Sequence, residues 1–95
     1  MKLKKIFKYN LPLAFYSKDI SLPRDGKILS VQIQKDQIAL WVLTQNPELE
    51  VKRHFRIIAT GLDFEYDYDE NQVYLATLQH GNIVLHVFEE LLTIT

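Results

Sequence analysis

The 95-residue chain contains no cysteine, so neither disulfide bonds nor thiol chemistry is available to it. Glycine and proline number only three each, which excludes collagen-like and Gly/Pro-rich disordered chains. Long apolar runs are missing too, since no stretch approaches the roughly 20 residues that a membrane-spanning helix needs. The basic start MKLKKIFKYNLPLAFY differs from a secretory signal, because Lys8, Asn10 and Pro12 break its apolar run. We therefore expect a cytoplasmic protein with no membrane partner.

The residues that are present predict one packed domain over residues 1–95. Apolar side chains make up 47% of the chain and aromatic side chains 12%, which is typical of a folded domain and not of a disordered segment. The net charge is −1, which does not indicate the concentrated basic surface that a phosphate backbone requires. We therefore do not expect nucleic acid as a partner.

Apolar residues recur with a period of two along most of the chain, and helical spacing is scarce. Prolines and glycines fall at or near the ends of these segments. The predicted strands are residues 5–13, 19–22, 28–34, 37–45, 51–60, 73–79 and 83–91. The pattern predicts an all-β fold: a small antiparallel sheet protein of about six to seven strands, barrel-like or a sandwich, with little or no helix. Because several strands are apolar on both faces, one thin core would leave apolar surface uncovered, and we expect a homodimer.

The stretch KILSVQIQKDQIALWVLTQ predicts a β-hairpin with its turn at Lys35 and Asp36, and a two-residue turn or a four-residue loop gives the same pairing. In that register Ile33 lies opposite Ile38, Val31 opposite Leu40 and Leu29 opposite Val42, so one face is apolar. The other face sets Gln34, Gln32 and Ser30 against Gln37, Ala39 and Trp41. A mostly polar sheet face with one large aromatic side chain is a candidate ligand surface.

A second hairpin is predicted in VYLATLQHGNIVLHVFEE, with Gly81 at the first central position of a tight turn. Its register sets Leu78 opposite Leu85, Ala76 opposite Val87 and Thr77 opposite His86. The middle of the last strand is apolar on both faces, as in a strand that is covered on both sides. We therefore interpret His86 as a mostly buried histidine that is hydrogen-bonded to a neighbour such as Thr77.

The pattern contains no recognisable catalytic or metal-binding constellation. The three serines have no G-x-S-x-G context, and the three histidines lack the spacing of metal ligands. We expect no metal, no cofactor and no enzymatic activity. The alternative is a small phosphoester- or nucleotide-processing enzyme, with His86 or His54 as general base and Glu89 or Asp63 as its acidic partner.

Two charged segments indicate where a partner binds. In EVKRHFRIIATG, Arg53 and Arg56 point to opposite faces of one strand, and arginine is a preferred donor to phosphate and carboxylate groups. The first candidate site is a pocket for a nucleotide-like ligand, and its residues are Trp41, Gln32, Gln34, Arg56 and His86. The second is a surface for a partner protein on the acidic segment DFEYDYDEN, and its residues are Asp63, Glu65, Tyr66, Asp67, Tyr68 and Asp69.

The chain resembles a small family of tailed-phage and prophage accessory proteins in four segments: FKYNLP, LPRDGKILSVQIQKDQIALWVL, RHFRIIATG and YLATLQHGNIVLHVFEE. The family pattern has a Leu-Trp pair that matches Leu40 and Trp41, a G-T-G in which Ala59 replaces the first glycine, and a closing V-W-H-V-F-E in which Leu85 replaces the tryptophan. The resemblance implies a phage origin and the cytoplasm of the host cell, with no established activity. By analogy, we expect a non-catalytic binding protein that counteracts host defence by sequestering a nucleotide-like signal or by blocking a host protein. A further alternative is a structural accessory protein of the virion or of replication.

Overall fold

A computed structural model describes residues 3–13, 17–64 and 71–91 of the chain. Within those ranges it contains seven β-strands and no helix, which confirms the all-β prediction. The strands are β1 (Lys5–Pro12), β2 (Ser17–Pro23), β3 (Lys27–Gln34), β4 (Gln37–Thr44), β5 (Glu50–Ala59), β6 (Gln72–His80) and β7 (Ile83–Glu90). Each strand begins and ends within two residues of the bounds predicted from the sequence.

The strands form two antiparallel sheets that do not close into a barrel. The first sheet has the order β1-β4-β3, so β4 is its central strand, and the second has the order β2-β5-β7-β6. The chain divides into two compact units: unit 1 comprises Met1–Leu13 and Ser21–Lys52, and unit 2 comprises Ala14–Ile20 and Arg53–Thr95. The division falls inside β2 and β5, which therefore contribute residues to both units.

In unit 1, the first sheet has one apolar face built from alternate residues of its central strand. Ile38, Leu40 and Val42 are fully buried, and their partners on β1 and β3 include the buried residues Leu11 and Val31. The alternation follows from the pleat, which sends successive side chains to opposite faces. Burial of each such aliphatic side chain stabilises the fold by about 1.5–3 kcal/mol.

The hairpin of β3 and β4 has the predicted register along most of its length. Ile33 pairs with Ile38, Val31 with Leu40, Gln32 with Ala39 and Ser30 with Trp41. One predicted pair is wrong: Val42 lies opposite Ile28 and not opposite Leu29, because the register shifts between Ile28 and Ser30. This bulge leaves Leu29 outside the ladder, where it is 45% exposed.

The turn of this hairpin holds two residues with side chains in the left-handed region, with φ of 52° at Lys35 and 60° at Asp36. Positive φ at both central positions favours Asn-Gly, because most residues with a Cβ are strained there. We predict that the double variant Lys35→Asn/Asp36→Gly raises the free energy of unfolding by about 1 kcal/mol. Urea unfolding followed by circular dichroism measures the change, and an unaltered or lowered midpoint would show that the turn is not strained.

In unit 2, the second sheet has one buried face and one partly buried face. Leu78 lies opposite Leu85, Ala76 opposite Val87 and Thr77 opposite His86, as predicted. The buried face includes Phe55 and Ile57 of β5 and Leu85 and Val87 of β7. On the other face His86 and Phe88 are only partly buried. The predicted cover of β7 is therefore complete on one face and partial on the other.

Candidate functional site

The polar face of the first sheet surrounds the single tryptophan of the chain. Trp41 of β4 lies between Lys8 of β1 and Ser30 of β3, which are its direct partners across the strands. Further positions on this face carry amide side chains and one alanine, and we call the whole surface the Trp41 face: Lys8, Asn10, Ser30, Gln32, Gln34, Gln37, Ala39 and Trp41. The predicted polar face with one aromatic side chain is thus confirmed.

Contacts among its own side chains order the Trp41 face. The Nζ of Lys8 lies 5.8 Å from the centroid of the Trp41 ring, within range of a cation–π contact. The same Nζ donates a hydrogen bond to Oε1 of Gln34 at 2.8 Å, and Nε2 of Gln32 donates to Oγ of Ser30 at 3.1 Å. Trp41 is only partly buried, so part of its surface is open to a ligand.

An open pocket of about 310 Å³ continues this face in unit 1. Two lysines line it, Lys4 and Lys27, and we call it the lysine pocket; its other lining residues are Asp25, Leu43, Thr44, Gln45 and Asn46. Leu43 and Lys27 are partners across β4 and β3. Because Leu43 is two residues after Trp41 on the same strand, both point to the same side of the sheet.

Asp25 adds a negative charge to the lysine pocket, and its carboxylate accepts hydrogen bonds from Thr44 and Gln45. Its Oδ1 accepts a hydrogen bond from the Thr44 hydroxyl at 2.5 Å, and its Oδ2 accepts one from the Gln45 backbone N–H at 2.9 Å. The hydrogen bond from Thr44, followed by that from Gln45, lowers the pKa of Asp25 below its ordinary value. Its stabilising contribution is therefore present above the ordinary aspartate pKa, and it is lost as the pH falls through the lowered pKa of the folded state.

The partly buried face of the second sheet carries a row of three large side chains on three neighbouring strands. Arg56 of β5 lies opposite Phe88 of β7, and Phe88 lies opposite Tyr74 of β6. The rings of Phe88 and Tyr74 pack edge to face with centroids 5.8 Å apart, and the ring of Phe64 is 6.0 Å from that of Phe88. We call this surface the Arg56 face, and on β5, β7 and β6 it consists of His54, Arg56, Ile58, His86, Phe88, Glu90, Gln72, Tyr74 and Thr77.

His86 lies beside this row and uses both ring nitrogens. Its Nδ1 is 3.0 Å from Oγ1 of Thr77, and its Nε2 is 2.6 Å from Oγ1 of Thr60. The Thr77 hydroxyl is in turn 2.6 Å from the hydroxyl of Tyr74. The predicted hydrogen bond to Thr77 is therefore confirmed, and His86 is partly buried on this face of β7.

The five ligand-site residues predicted from the sequence fall on two sheets. Trp41, Gln32 and Gln34 lie together on the Trp41 face in unit 1. Arg56 and His86 lie on the Arg56 face in unit 2. Strand parity indicates the face to which a side chain points but not the sheet to which its strand belongs. For the same reason Lys8 was missed, because it joins the Trp41 face through the pairing of β1 with β4.

The Arg56 face also places His54 among polar residues of other strands. Nδ1 of His54 is 2.5 Å from Oδ1 of Asp19, and Nε2 is hydrogen-bonded to Oγ of Ser17. Oε1 of Glu90 is 3.4 Å from Nε2 of His54 and 3.4 Å from Nε of Arg56. Neither Ser17 nor Asp19 was indicated by the sequence, because the predicted strand began at residue 19, whereas β2 begins at Ser17 and places the two residues on one face.

Glu89 lies on the buried face of β7, where it forms an ion pair with Arg53. Nε and Nη2 of Arg53 donate to Oε2 and Oε1 of Glu89 at 2.6 and 2.7 Å, and Glu89 is 6% exposed. Two parallel hydrogen bonds make this the strongest geometry for an arginine and a carboxylate. The predicted opposite orientation of Arg53 and Arg56 is confirmed, because Arg56 lies beside Glu90 on the other face.

The predicted surface for a partner protein falls mostly outside the described residues. Asp63 is described and exposed, whereas Glu65, Tyr66, Asp67, Tyr68 and Asp69 lie outside the described ranges. Across residues 3–13, 17–64 and 71–91, no group of three or more metal-ligating side chains converges. In those same ranges no helix is long and apolar enough to cross a membrane.

These features define a class: an all-β protein of two antiparallel sheets, each with one buried apolar face and one face of hydrogen-bonded polar side chains. The chain belongs to the family described as Domain of unknown function (DUF7352), whose model matches residues 2–93. A search of curated proteins and a search of solved structures each found no match.

Proposed function

We propose that this chain is a binding protein that takes a nucleotide-like ligand on the Trp41 face and that this face binds the ligand without catalysis. The observation that carries the proposal is a partly buried indole on a polar sheet face, with Lys8 over its ring and Gln32 and Gln34 on the next strand. An accessible aromatic ring on a sheet is a stacking platform for a planar base. The glutamine amides supply both donors and acceptors for the edge of that base.

The lysine pocket offers the phosphate of such a ligand a place on the same face. Leu43, in the pocket wall, is two residues from Trp41, or about 7 Å along a strand. That separation is comparable to the one between the base and the first phosphate of a nucleotide. Asp25 opposes an anion there, but Lys4 and Lys27 supply two positive charges against one carboxylate, whose oxygens already accept hydrogen bonds. The face therefore suits a nucleotide better than a nucleoside.

The charge of unit 1 supports an anionic ligand. Unit 1 holds eight lysines and arginines and four aspartates and glutamates, a net charge of +4, whereas unit 2 holds three and eight, a net charge of −5. The near-neutral total of −1 conceals this difference. A positively charged surface raises the local concentration of anions and the rate at which they associate.

Fluorescence of the single tryptophan tests the proposal directly, because it reports on this face alone. We expect saturable changes in Trp41 emission with one or more members of a panel of cyclic and linear nucleotides, and weaker binding of the matching nucleosides. Lys27→Gln is expected to weaken nucleotide binding about tenfold or more, since a charge-assisted contact contributes about 1.5–3 kcal/mol, and to leave nucleoside binding unchanged. Lys35→Gln, in the exposed turn, is the matched control and should bind as the unmodified chain does.

A parallel thermal-shift screen of the unmodified chain and Trp41→Ala supplies the second readout. A shift that vanishes in Trp41→Ala supports the site. If no member of the panel changes either the emission or the melting temperature, the nucleotide proposal is wrong.

The wider role is inferred from the motifs shared with tailed-phage and prophage accessory proteins. We infer that the chain acts in the cytoplasm of a host cell and counteracts host defence by sequestering a nucleotide-derived signal. The other form of this role is the blocking of a host protein, and exposed Asp63 at the start of the acidic segment supports it. Capture of one host protein by the unmodified chain, lost in a variant with Asp63 and its acidic neighbours neutralised, would favour that form. The homodimer expected from the sequence stays a prediction.

A further inference from the structure

Unit 2 contains a linear hydrogen-bonded arrangement of a serine, a histidine and an aspartate. Oγ of Ser17 is hydrogen-bonded to Nε2 of His54, and Nδ1 of His54 is 2.5 Å from Oδ1 of Asp19. We propose that Ser17 is an activated nucleophile that reacts with small acyl esters, with His54 as its general base and Asp19 as the positioning residue. This site lies in a different unit from the Trp41 face and does not depend on the nucleotide proposal.

Strand geometry brings the three side chains together. Ser17 and Asp19 are two residues apart on β2 and therefore point to the same side, and β5, which carries His54, is the neighbouring strand in the sheet. Donation from Nδ1 to Asp19 selects the tautomer in which Nε2 is the acceptor. That is the tautomer a histidine needs in order to accept the hydroxyl proton of a serine.

Two charged groups beside the histidine fit the same chemistry. Once Nε2 has taken the proton, Glu90, whose Oε1 is 3.4 Å away, faces the protonated side of the ring. Arg56 is two residues after His54 on the same face of β5 and lies 3.4 Å from Glu90, so it adds a positive charge beside the histidine. Ser17 is exposed, and the side chains of His54 and Asp19 are 22% and 47% exposed, so a small ester reaches them from solvent.

The reaction is complete with ester and water alone. Oγ of Ser17 bonds to the ester carbonyl carbon while His54 takes the hydroxyl proton. The carbon–oxygen bond to the leaving group then breaks, and the alcohol departs with that proton. Water adds to the acyl-serine with His54 again taking and returning a proton, which releases the carboxylic acid and restores Ser17.

Labelling with a fluorophosphonate probe tests the proposal, because the probe bonds to activated serine oxygens with loss of fluoride. We expect one adduct in the intact mass, located at Ser17 by peptide mapping, together with measurable hydrolysis of p-nitrophenyl acetate. Ser17→Ala should abolish both, whereas Ser21→Ala, at an exposed serine on the same strand, should change neither. His54→Gln should slow labelling about 100-fold or more.

The role of Asp19 has its own readout. Asp19→Asn should slow labelling, and Asp19→Glu should restore part of the rate, because a carboxylate and not merely a side chain of similar size holds the tautomer. Circular dichroism checks that each variant is folded. The proposal is overturned if the folded, unmodified chain takes no label, or if labelling persists in Ser17→Ala. Either result leaves the fluorescence titration of Trp41 unaffected.

Discussion

Glu89→Ala is expected to lower the free energy of unfolding by about 3–5 kcal/mol, and Glu90→Ala, at the next residue, by less than about 1 kcal/mol. The two glutamates occupy opposite faces of β7. Glu89 is 6% exposed and bidentate to Arg53, whereas the side chain of Glu90 is 21% exposed and lies 3.4 Å from Arg56. Removing Glu89 takes away the carboxylate that makes two hydrogen bonds to the Arg53 guanidinium in a poorly solvated place, and the loss of that compensating charge is the source of the cost.

The size of this effect matters because the chain is short. A domain of this length has about 5–14 kcal/mol of stability in total. Loss of Glu89 therefore removes a large part of the margin, and Arg53→Ala should do so by a similar amount. Replacing both residues, as Arg53→Met/Glu89→Leu, is expected to recover most of the loss, since both buried charges are then replaced by apolar side chains.

Urea unfolding measured by circular dichroism compares these variants. The pair Glu89→Ala and Glu90→Ala is matched in residue type and strand, so the difference between them isolates the buried ion pair. Equal losses in the two single variants would show that the Arg53–Glu89 contact contributes no more than a surface pair. A double variant less stable than either single one would contradict the uncompensated-charge explanation.

Features set by neighbouring residues could be predicted from the sequence. The period of two identified the seven strands of the described residues, and the two-residue turns at Lys35-Asp36 and Gly81-Asn82 set the register of both hairpins. Parity alone placed Arg53 and Arg56 on opposite faces. The bulge at Leu29 could not be predicted, because the alternation of apolar and polar residues in KILSVQIQ is equally compatible with a regular strand.

Features that depend on distant pairings could not be predicted. β1 pairs with β4 and β5 pairs with β7, and neither connection is a short hairpin. These pairings bring Lys8 to Trp41 and set Arg56 opposite Phe88. The neighbouring position of β2 and β5 likewise brings Ser17 to His54, although no local motif marks that serine. That Trp41 lies on one sheet and Arg56 and His86 on the other is a further result of these distant pairings.

Leu40→Ala is expected to cost about 3–4 kcal/mol, whereas Trp41→Ala, the adjacent residue on β4, should cost about 1–2 kcal/mol. Leu40 is fully buried, and its partners on the flanking strands are Tyr9 and Val31. Its truncation leaves a cavity in the central strand, which a sheet paired on both sides closes poorly. Trp41 points to the other face and is only partly buried, so its truncation removes contact with Lys8 and part of the apolar burial but opens no enclosed void.

Circular dichroism during urea unfolding measures both variants without using the tryptophan as the probe. If Trp41→Ala keeps most of the stability, then loss of ligand binding in that variant reflects loss of the stacking surface and not loss of the fold. Leu40→Val, a smaller change on the buried face, should retain both most of the stability and ligand binding. The opposite result is a Trp41→Ala variant as unstable as Leu40→Ala. It would identify Trp41 as a core residue and would contradict the proposal that the Trp41 face binds a ligand.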